Sequence, residues 1–205
     1  LAALAASAVQ RGAEVIVTFG TTATEAARKA TATVPIVMVV GTDPVALGFV
    51  KNLAHPEANV TGLATANEIL IAKRVELLKE IVPRTRRIAV LWNPASTGQK
   101  ASLGLIEQAA SRIDAKVYPV EIRSAADIEA VSASLSKAGV DTLIAVPSTT
   151  FLEMGPQLVK LAASLKLPAV YAHADFVRAG GLASYAPDLN DQLRRAAVYV
   201  DRILK

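Results

Sequence analysis

Short apolar runs recur along the chain, and longer stretches with apolar residues at helical spacing separate them. Within the runs the apolar residues are mostly consecutive, which is typical of parallel strands covered on both faces. The predicted strands are Glu14–Phe19, Pro35–Val40, Asn59–Thr65, Arg87–Trp92, Lys116–Ile122, Thr142–Val146, Pro168–Tyr171 and Leu182–Ala186. The predicted helices are a first one that ends at Gly12, then Thr22–Ala30, Glu68–Ile81, Gln99–Ile113, Ala125–Ala138, Leu152–Leu165 and Arg194–Lys205. Strand starts recur roughly every 20–30 residues, the rhythm of βαβ units, so the pattern predicts an α/β fold with parallel sheets.

The helix predicted at Glu68–Ile81 is amphipathic, with one apolar stripe and a charged opposite side. The apolar stripe consists of Ile71, Val75, Leu78 and Val82. The charged side consists of Lys73, Glu76 and Lys79. The basic pair Lys73–Arg74 is accordingly expected on a solvated helix face.

The predicted elements divide the chain into two similar lobes. From Arg87 to about Gly181 the β-α-β series is complete, whereas before Thr61 it is incomplete. We expect lobe one to comprise residues 1–65 and 187–205, and lobe two to comprise residues 66–186, because the last helix returns to the first lobe. A doubly wound domain normally enters a helix from a strand, and none precedes the first helix here. We therefore expect N-terminal truncation, with the first β-α-β unit of lobe one missing.

Composition and charge exclude several classes of protein. Hydrophobic residues make up 52% of the chain and charged residues 20%, which is enough to bury a core. The absence of cysteine excludes disulfides and thiolate metal sites, and no apolar run is long enough to cross a bilayer. The net charge of +4 is spread out, with only Arg84, Arg86 and Arg87 resembling a patch, and aromatic residues make up only 4%. We therefore expect neither a transmembrane segment nor a nucleic-acid partner.

Polar side chains follow the predicted strands in five loops. In open α/β sheets, ligands bind outside the carboxyl ends of the strands, where loops run into helix N-termini. The candidate ligand-binding residues are Thr21, Thr22, Asp43, Asn93, Ser148, Thr149, Tyr171, His173 and Tyr185. Taken singly, each loop is better explained by ordinary helix capping. Taken together, five loops at the same edge indicate a cleft that binds a small molecule.

Several of these residues carry a specific structural expectation. A hydroxyl of Thr21 or Thr22 is expected to cap the next helix, and Asp43 to cap the helix that follows it. Asn93 precedes a proline and is held extended, so its amide is expected to project from the loop. His173 has no second histidine at metal-ligand spacing, so we expect no metal site.

No motif for catalysis or cofactor binding is recognisable in the sequence. The chain has no Gly-x-x-x-x-Gly-Lys-Ser/Thr loop for nucleoside triphosphates. The segment after Phe19 lacks the Gly-x-Gly-x-x-Gly of a dinucleotide site, and no Ser–His–acid set is recognisable from spacing. We therefore expect no catalytic residues and no cofactor, while a two-lobed α/β enzyme stays an open alternative.

Strings along nearly the whole chain, in the same order, resemble the ABC-transporter substrate-binding protein family that includes tryptophan-binding lipoproteins. They are Val15–Thr24, Val34–Val37 with Thr42–Val45, Asn59–Gly62, Ala72–Lys79, Ile88–Pro94, Gly180–Tyr185 and Tyr199–Leu204. The resemblance implies a type I periplasmic-binding-protein fold, in which two Rossmann-like lobes joined by crossing strands close on a ligand about a hinge. Here the crossings fall near residues 62–67 and 182–188. Family members begin with a signal sequence or lipobox and continue past the last residue here, which implies truncation at both ends.

The resemblance also implies a function, namely the extracytoplasmic solute receptor of an ABC importer, periplasmic or lipid-anchored, with a membrane permease as its partner. The implied ligand is a small organic molecule, first of all an amino acid and among these an aromatic one. Thr21 or Thr22 would then bind the ligand's carboxylate and Asp43 its ammonium. The effector-binding domain of a transcriptional regulator has the same fold and stays an open alternative. An upstream helix-turn-helix or signal peptide would distinguish the two.

Overall fold

The structure is a computed structural model that describes residues 1–39, 43–65 and 67–205, except for the side chains of Asn67, Glu68 and Thr97. The chain divides into two compact units. Unit 1 comprises Leu1–Ala66 and Pro187–Lys205, and unit 2 comprises Asn67–Ala186.

Strands and helices alternate along both units, as the apolar pattern predicts. In chain order the elements are α1 (Ala2–Gln10), β1 (Ile16–Phe19), α2 (Thr21–Ala30), β2 (Ile36–Val39), β3 (Val60–Gly62), α3 (Asn67–Ile81), β4 (Arg87–Trp92), α4 (Thr97–Ser111), β5 (Lys116–Glu121), α5 (Ile128–Ala138), β6 (Thr142–Ala145), α6 (Thr149–Glu153), α7 (Gly155–Ser164), β7 (Ala169–Tyr171), α8 (Ala174–Arg178), β8 (Ala183–Ser184) and α9 (Leu189–Leu204). A short 3₁₀ turn, Ala125–Asp127, precedes α5. The predicted end of the second strand, Val40, lies outside the described residues.

Unit 1 contains a parallel sheet in the order β1-β2-β3. The consecutive apolar residues of β2 are buried along the whole strand because both of its faces are covered. Ile36 and Met38 pack against Phe49 on one face, and Val37 packs with Ala196 of α9 on the other. This double burial is the physical reason for the uninterrupted apolar run that the sequence shows.

Gly62, the last residue of β3, is required by its backbone geometry. Its φ is +131°, and a Cβ at this position would lie 2.1 Å from the carbonyl oxygen of Met38 in the neighbouring strand β2. The next residue, Leu63, donates its N–H to that same oxygen at 2.8 Å. Only glycine allows the two backbones to approach so closely.

Unit 2 contains a five-stranded sheet in the order β5-β4-β6-β7-β8, with all pairs parallel. Three residues of the predicted stripe on α3, namely Ile71, Val75 and Leu78, are buried in the core on one face of the sheet. The other face carries a second core that includes Tyr171 and Phe176. From β4 the chain winds first to β5 and then back across to β6 on the opposite side, so the carboxyl ends of β4 and β6 form the topological switch point.

The structure also departs from the predicted elements in unit 2. The helix predicted at Leu152–Leu165 is wrong in its extent, since two helices, α6 and α7, occupy this stretch. They separate because Pro156 has no N–H to continue α6 and instead occupies the first turn of α7. Helix α8 has no counterpart among the predicted elements.

The predicted class, an α/β fold with parallel sheets, is confirmed. No helix of the described ranges is long and apolar enough to cross a membrane.

Candidate functional site

The loop after β4 lies at the switch point of unit 2 and is closed by hydrogen bonds of its own residues. The Oδ1 atom of Asn93 accepts the N–H of Ala95 at 2.9 Å, while the N–H of Asn93 donates to Oε1 of Gln99 at 2.7 Å. The expectation that the Asn93 amide projects from the loop is therefore wrong for its oxygen. Two-residue Asx turns of this kind compete with outward contacts because the backbone N–H is so near.

Gln99 was not among the candidates, although it fixes this loop. Only 4% of its surface is exposed, and its side chain spans from the first turn of α4 to the end of β4. Ser96 is the N-cap of α4 and accepts the Gln99 N–H at 3.4 Å. The spacing Ser-x-x-Gln is the sequence signal of a capping box and would have identified the pair. In the structure the glutamine oxygen bonds Asn93 instead of the cap residue.

Across the switch point, the loop after β6 is closed in a similar way. Ser148 is the N-cap of α6, and its hydroxyl oxygen accepts the N–H of Phe151 at 3.0 Å. The hydroxyl that the sequence offers to a ligand is thus a helix cap. The neighbouring Thr149 is exposed at the start of the helix.

Tyr171 ends strand β7 and belongs to the core. Only 1% of its surface is exposed, and its ring stacks on Phe176 with the ring centroids 4.6 Å apart and an interplanar angle of 8°. Burial raises the pKa of the Tyr171 phenol to about 12, so the group stays protonated at physiological pH. So deeply buried a ring offers a ligand almost no surface.

His173 follows β7 and is the N-cap residue of α8. It is half-buried, and its imidazole lies 6.5 Å from the Phe176 ring, centroid to centroid. Burial lowers the pKa of His173, the positive charge of Arg74 lowers it further, and the carboxylate of Asp175 opposes them. The imidazole is therefore neutral at pH 7, with one nitrogen that donates and one that accepts a hydrogen bond.

Arg74, on α3, is the functional candidate that the sequence reasoning missed. The expectation that the Lys73–Arg74 pair lies on a solvated face is wrong for Arg74, of which only 2% is exposed. Its Nε donates to the backbone oxygen of Tyr185 at 2.8 Å. Its Nη1 is buried without a hydrogen-bond partner in the described part of the chain. Burial lowers the pKa of Arg74 to about 10, so the guanidinium is still charged at physiological pH.

Tyr185 continues the chain after β8 and is the most exposed aromatic candidate of unit 2. Its side chain is 39% exposed, and its N–H donates to the backbone oxygen of Tyr171 at 3.0 Å. Arg74, His173 and Tyr185 are therefore associated at the carboxyl ends of β7 and β8. The sequence predicts two of these three residues.

In unit 1 the loop after β1 differs from the predicted cap. Gly20, with φ +82°, is the N-cap of α2 and has no side chain, so the expectation that Thr21 or Thr22 caps this helix is wrong. Thr21 begins the helix, and Thr22 is exposed. The structural hydroxyl of this loop belongs to the buried Thr24, which donates to the Gly20 oxygen at 3.0 Å.

Asp43 also closes its own loop. Its Oδ1 accepts the N–H groups of Val45 at 2.8 Å and of Ala46 at 3.3 Å, which is the capping pattern that the sequence predicts. The segment that follows forms turns rather than the predicted helix, and Asp43 itself is exposed. Gly41 and Thr42 of the same loop lie outside the described residues.

Within the described ranges, no three histidine, aspartate or glutamate side chains are grouped as metal ligands would be. The strand-end loops offer hydrogen-bonding groups, and Arg74 of α3 adds a buried cation next to Tyr185, a combination that suits the binding of a small polar molecule.

The two units with parallel sheets have the fold of type I periplasmic binding proteins. The sequence profile of the family described as ABC transporter substrate binding protein matches residues 1–205. The chain belongs to this family, as the sequence strings indicate.

Individual relatives agree with this assignment. The chain is 29% identical over 171 residues to the tyrosine-binding protein of Clostridioides difficile (strain R20291), a match that covers 83% of this chain and 48% of the relative. The chain thus spans about half the length of the curated relative it matches.

Two solved structures superpose closely on the chain. One is an ABC domain in complex with L-Trp from Streptococcus pneumonia, with a TM-score of 0.91 and 25% identity. The other is a conserved domain protein from Vibrio cholerae, with a TM-score of 0.91 and 28% identity. Each match covers 99% of this chain and 68% of the other.

Proposed function

We propose that the protein is the extracytoplasmic solute receptor of an ABC importer, and that it binds an amino acid, preferentially an aromatic one. The observation that carries this proposal is the family match along the whole chain. In the proposal, the ligand lies between the two lobes, which close on it about crossings near residues 62–67 and 182–188. The loaded receptor then delivers the ligand to a membrane permease.

The ligand class is inferred from the named relatives. One is a tyrosine-binding protein and another was solved with L-Trp. Both ligands combine an aromatic ring with an ammonium and a carboxylate, so a receptor for them needs an apolar wall and polar groups of both signs.

Residues of unit 1 supply part of this chemistry in the proposal. Asp43 uses Oδ1 to cap its turn, and its second carboxylate oxygen can accept a hydrogen bond from the ligand's ammonium. The hydroxyls of Thr21 and Thr22 are hydrogen-bonding groups for the polar end of the ligand. In unit 2, the same role falls to Asn93, Thr149, His173 and Tyr185.

Anchoring follows from the proposed role. A receptor that serves an importer works outside the cytoplasm, either free in the periplasm or held by a lipid. Labelling of the intact protein with a radioactive fatty acid distinguishes these two modes.

The test of the proposed function is a thermal-shift screen of the intact protein against amino acids, aromatic acids and sugars. At about 100 times its dissociation constant, a true ligand stabilises the native state by roughly 2.7 kcal/mol. We expect L-tryptophan or L-tyrosine to give the largest shift, and D-tryptophan to serve as the matched control. If no small solute shifts the unfolding temperature, the proposed function is wrong.

A further inference from the structure

Arg74 carries a charge that no ion pair among the described side chains neutralises. Of the donors on its guanidinium, Nε bonds the Tyr185 oxygen, while Nη1 is buried without an acceptor. A charged donor that is removed from water and left unpaired is strongly unfavourable. Such a group persists in a native structure where something outside the described chain completes it.

Three acidic residues near Arg74, whose side chains the structure describes, are engaged elsewhere. On α3, Glu76 and Glu80 pair with the partly buried Lys73, and Asp175 of α8 pairs with Arg178. Among the ion pairs of the described side chains, none includes Arg74. The charge of Arg74 instead acts on His173, whose pKa it helps to lower.

The guanidinium of Arg74 lies near the carboxyl ends of the strands, the edge at which ligands bind in open α/β sheets. Arg74 is bonded to the residue that follows β8 and acts on His173, which follows β7. Both belong to the carboxyl ends of a doubly wound parallel sheet. His173 and Tyr185 were predicted as ligand-binding residues without reference to Arg74, so the two arguments are independent.

We propose that Arg74 provides the counter-charge for the carboxylate of the bound ligand, so that the receptor selects solutes that carry a carboxylate, such as α-amino acids, over their amides. This inference rests on the proposed function. A guanidinium presents a planar fork of N–H donors that matches a carboxylate and strengthens its charge-assisted hydrogen bonds. A neutral amide has the same size but leaves the buried charge uncompensated. Hydroxyls such as those of Thr21 and Thr22 bond a carboxylate without neutralising it.

Access to Arg74 requires a local movement. With 2% of the residue exposed, a ligand reaches Nη1 only if a neighbouring segment shifts. The segment bonded to the guanidinium follows β8, a strand of two residues at the edge of the sheet. So short an edge strand is held by few hydrogen bonds and moves at low cost.

The test compares ligand pairs that differ only in the carboxylate. Isothermal titration calorimetry on the intact protein measures L-tryptophan against L-tryptophanamide, and L-tyrosine against L-tyrosinamide. The variants are Arg74→Gln and Arg74→Lys. The control is Lys73→Met, which removes the same charge from the adjacent, solvated position of α3. We expect the unaltered protein to prefer the acid by roughly 100-fold, Arg74→Gln to reduce this preference to within about fivefold, and Lys73→Met to retain it.

The outcomes separate the two proposals. If the unaltered protein binds no amino acid, the proposed function is wrong and this inference with it. If it binds amino acids but Arg74→Gln weakens acid and amide equally, Arg74 is only structural and the inference alone is wrong. The same holds if Thr21→Val or Thr22→Val abolishes the preference and Arg74→Gln does not. Should Arg74→Gln not fold, Arg74→Lys is measured instead; it keeps the charge but lacks the fork, and it is expected to lose about tenfold of the preference. Equal affinity of the unaltered protein for acid and amide overturns the inference without any variant.

Discussion

At the edge of the unit 2 sheet where its strands end, the polar groups of the two ends are used in opposite ways. At the switch point, Asn93 bonds the N–H of Ala95, and Ser148 bonds the N–H of Phe151. At the ends of β7 and β8, Arg74 has one hydrogen bond to the backbone and a second nitrogen without a partner. Polar groups at the first end form hydrogen bonds within their own loops, whereas the second end has a buried nitrogen without a partner among the described residues.

The two ends show which polar groups at the strand ends of such a sheet are evidence of a bound ligand. A hydroxyl or amide in a strand-end loop is near backbone N–H groups that it can cap, so its presence is weak evidence of a ligand. A buried charged donor without a partner has no such local explanation. The indole Nε1 of Trp92, at the end of β4, is also buried and unpartnered, but it is neutral and so lacks the preference of Arg74 for an anion.

The largest expected effect comes from replacing Gly181, which lies at the β7–β8 end, and Gly104 in the interior of α4 serves as its control. A Cβ at Gly181 would lie 2.7 Å from the Phe176 oxygen and 2.7 Å from the Tyr171 ring, whereas one at Gly104 of α4 would meet nothing within 4 Å. We expect Gly181→Ala to lower the free energy of unfolding by about 1–3 kcal/mol because the packed ring must shift. Gly104→Ala should raise it by about 0.5–1 kcal/mol, since it only removes backbone freedom within a helix.

Urea unfolding measured by circular dichroism checks this pair. Equal effects of Gly181→Ala and Gly104→Ala would contradict the close packing around Tyr171 and Phe176 on which the β7–β8 end depends.

Most of the fold could be predicted from the sequence because the strands are buried on both faces. Consecutive apolar residues mark such strands directly, and β4 has the predicted bounds, Arg87–Trp92. Helix α8 was missed because its five residues are too few to show a helical period. The division between α6 and α7 has a visible signal in the sequence, namely Gly155–Pro156, because a proline cannot continue a helix that precedes it.

The candidate site could be predicted only in part. The positions of the loops follow from the strand order, which is why His173 and Tyr185 were identified. Arg74 is hydrogen-bonded to Tyr185, a partner 111 residues away in the sequence, and no local pattern contains that information. Sequence spacing likewise cannot tell a hydroxyl that caps a helix, such as that of Ser148, from one that is left for a ligand.

A smaller effect distinguishes two adjacent hydroxyls at the switch point. Ser148→Ala removes the N-cap of α6, so we expect the free energy of unfolding to fall by about 1 kcal/mol. The matched control is Thr149→Val, in which the neighbouring, exposed hydroxyl is lost and the change should stay within about 0.5 kcal/mol. Urea unfolding measures both variants. If Thr149→Val proves the more destabilising, Ser148 is not the cap of α6. The polar groups at the switch point would then not be used up by their own loops.

The smallest expected effect is the pH dependence of stability that His173 contributes at the β7–β8 end. Burial and the charge of Arg74 hold the pKa of His173 below 6.5, its ordinary value in the unfolded chain. As the pH falls below about 6.5, the unfolded chain therefore binds a proton that the folded protein does not, and the free energy of unfolding decreases. Above about 6.5 both states are neutral and this contribution is constant. We expect His173→Asn, which keeps a residue able to cap α8, to flatten the decrease between about pH 6.5 and 5.

The other histidine supplies the control for this pH dependence. His55 is exposed, so His55→Asn should leave the decrease unchanged in urea unfolding across the same pH range. Nuclear magnetic resonance titration of the His173 imidazole then connects the measurement to Arg74. If the guanidinium is uncompensated, its replacement in Arg74→Gln raises the pKa of His173, because one of the two causes that lower it is removed and Asp175 remains. A pKa that stays the same in this variant would mean that another group already neutralises Arg74, and the two ends of the edge would then no longer differ in the way described.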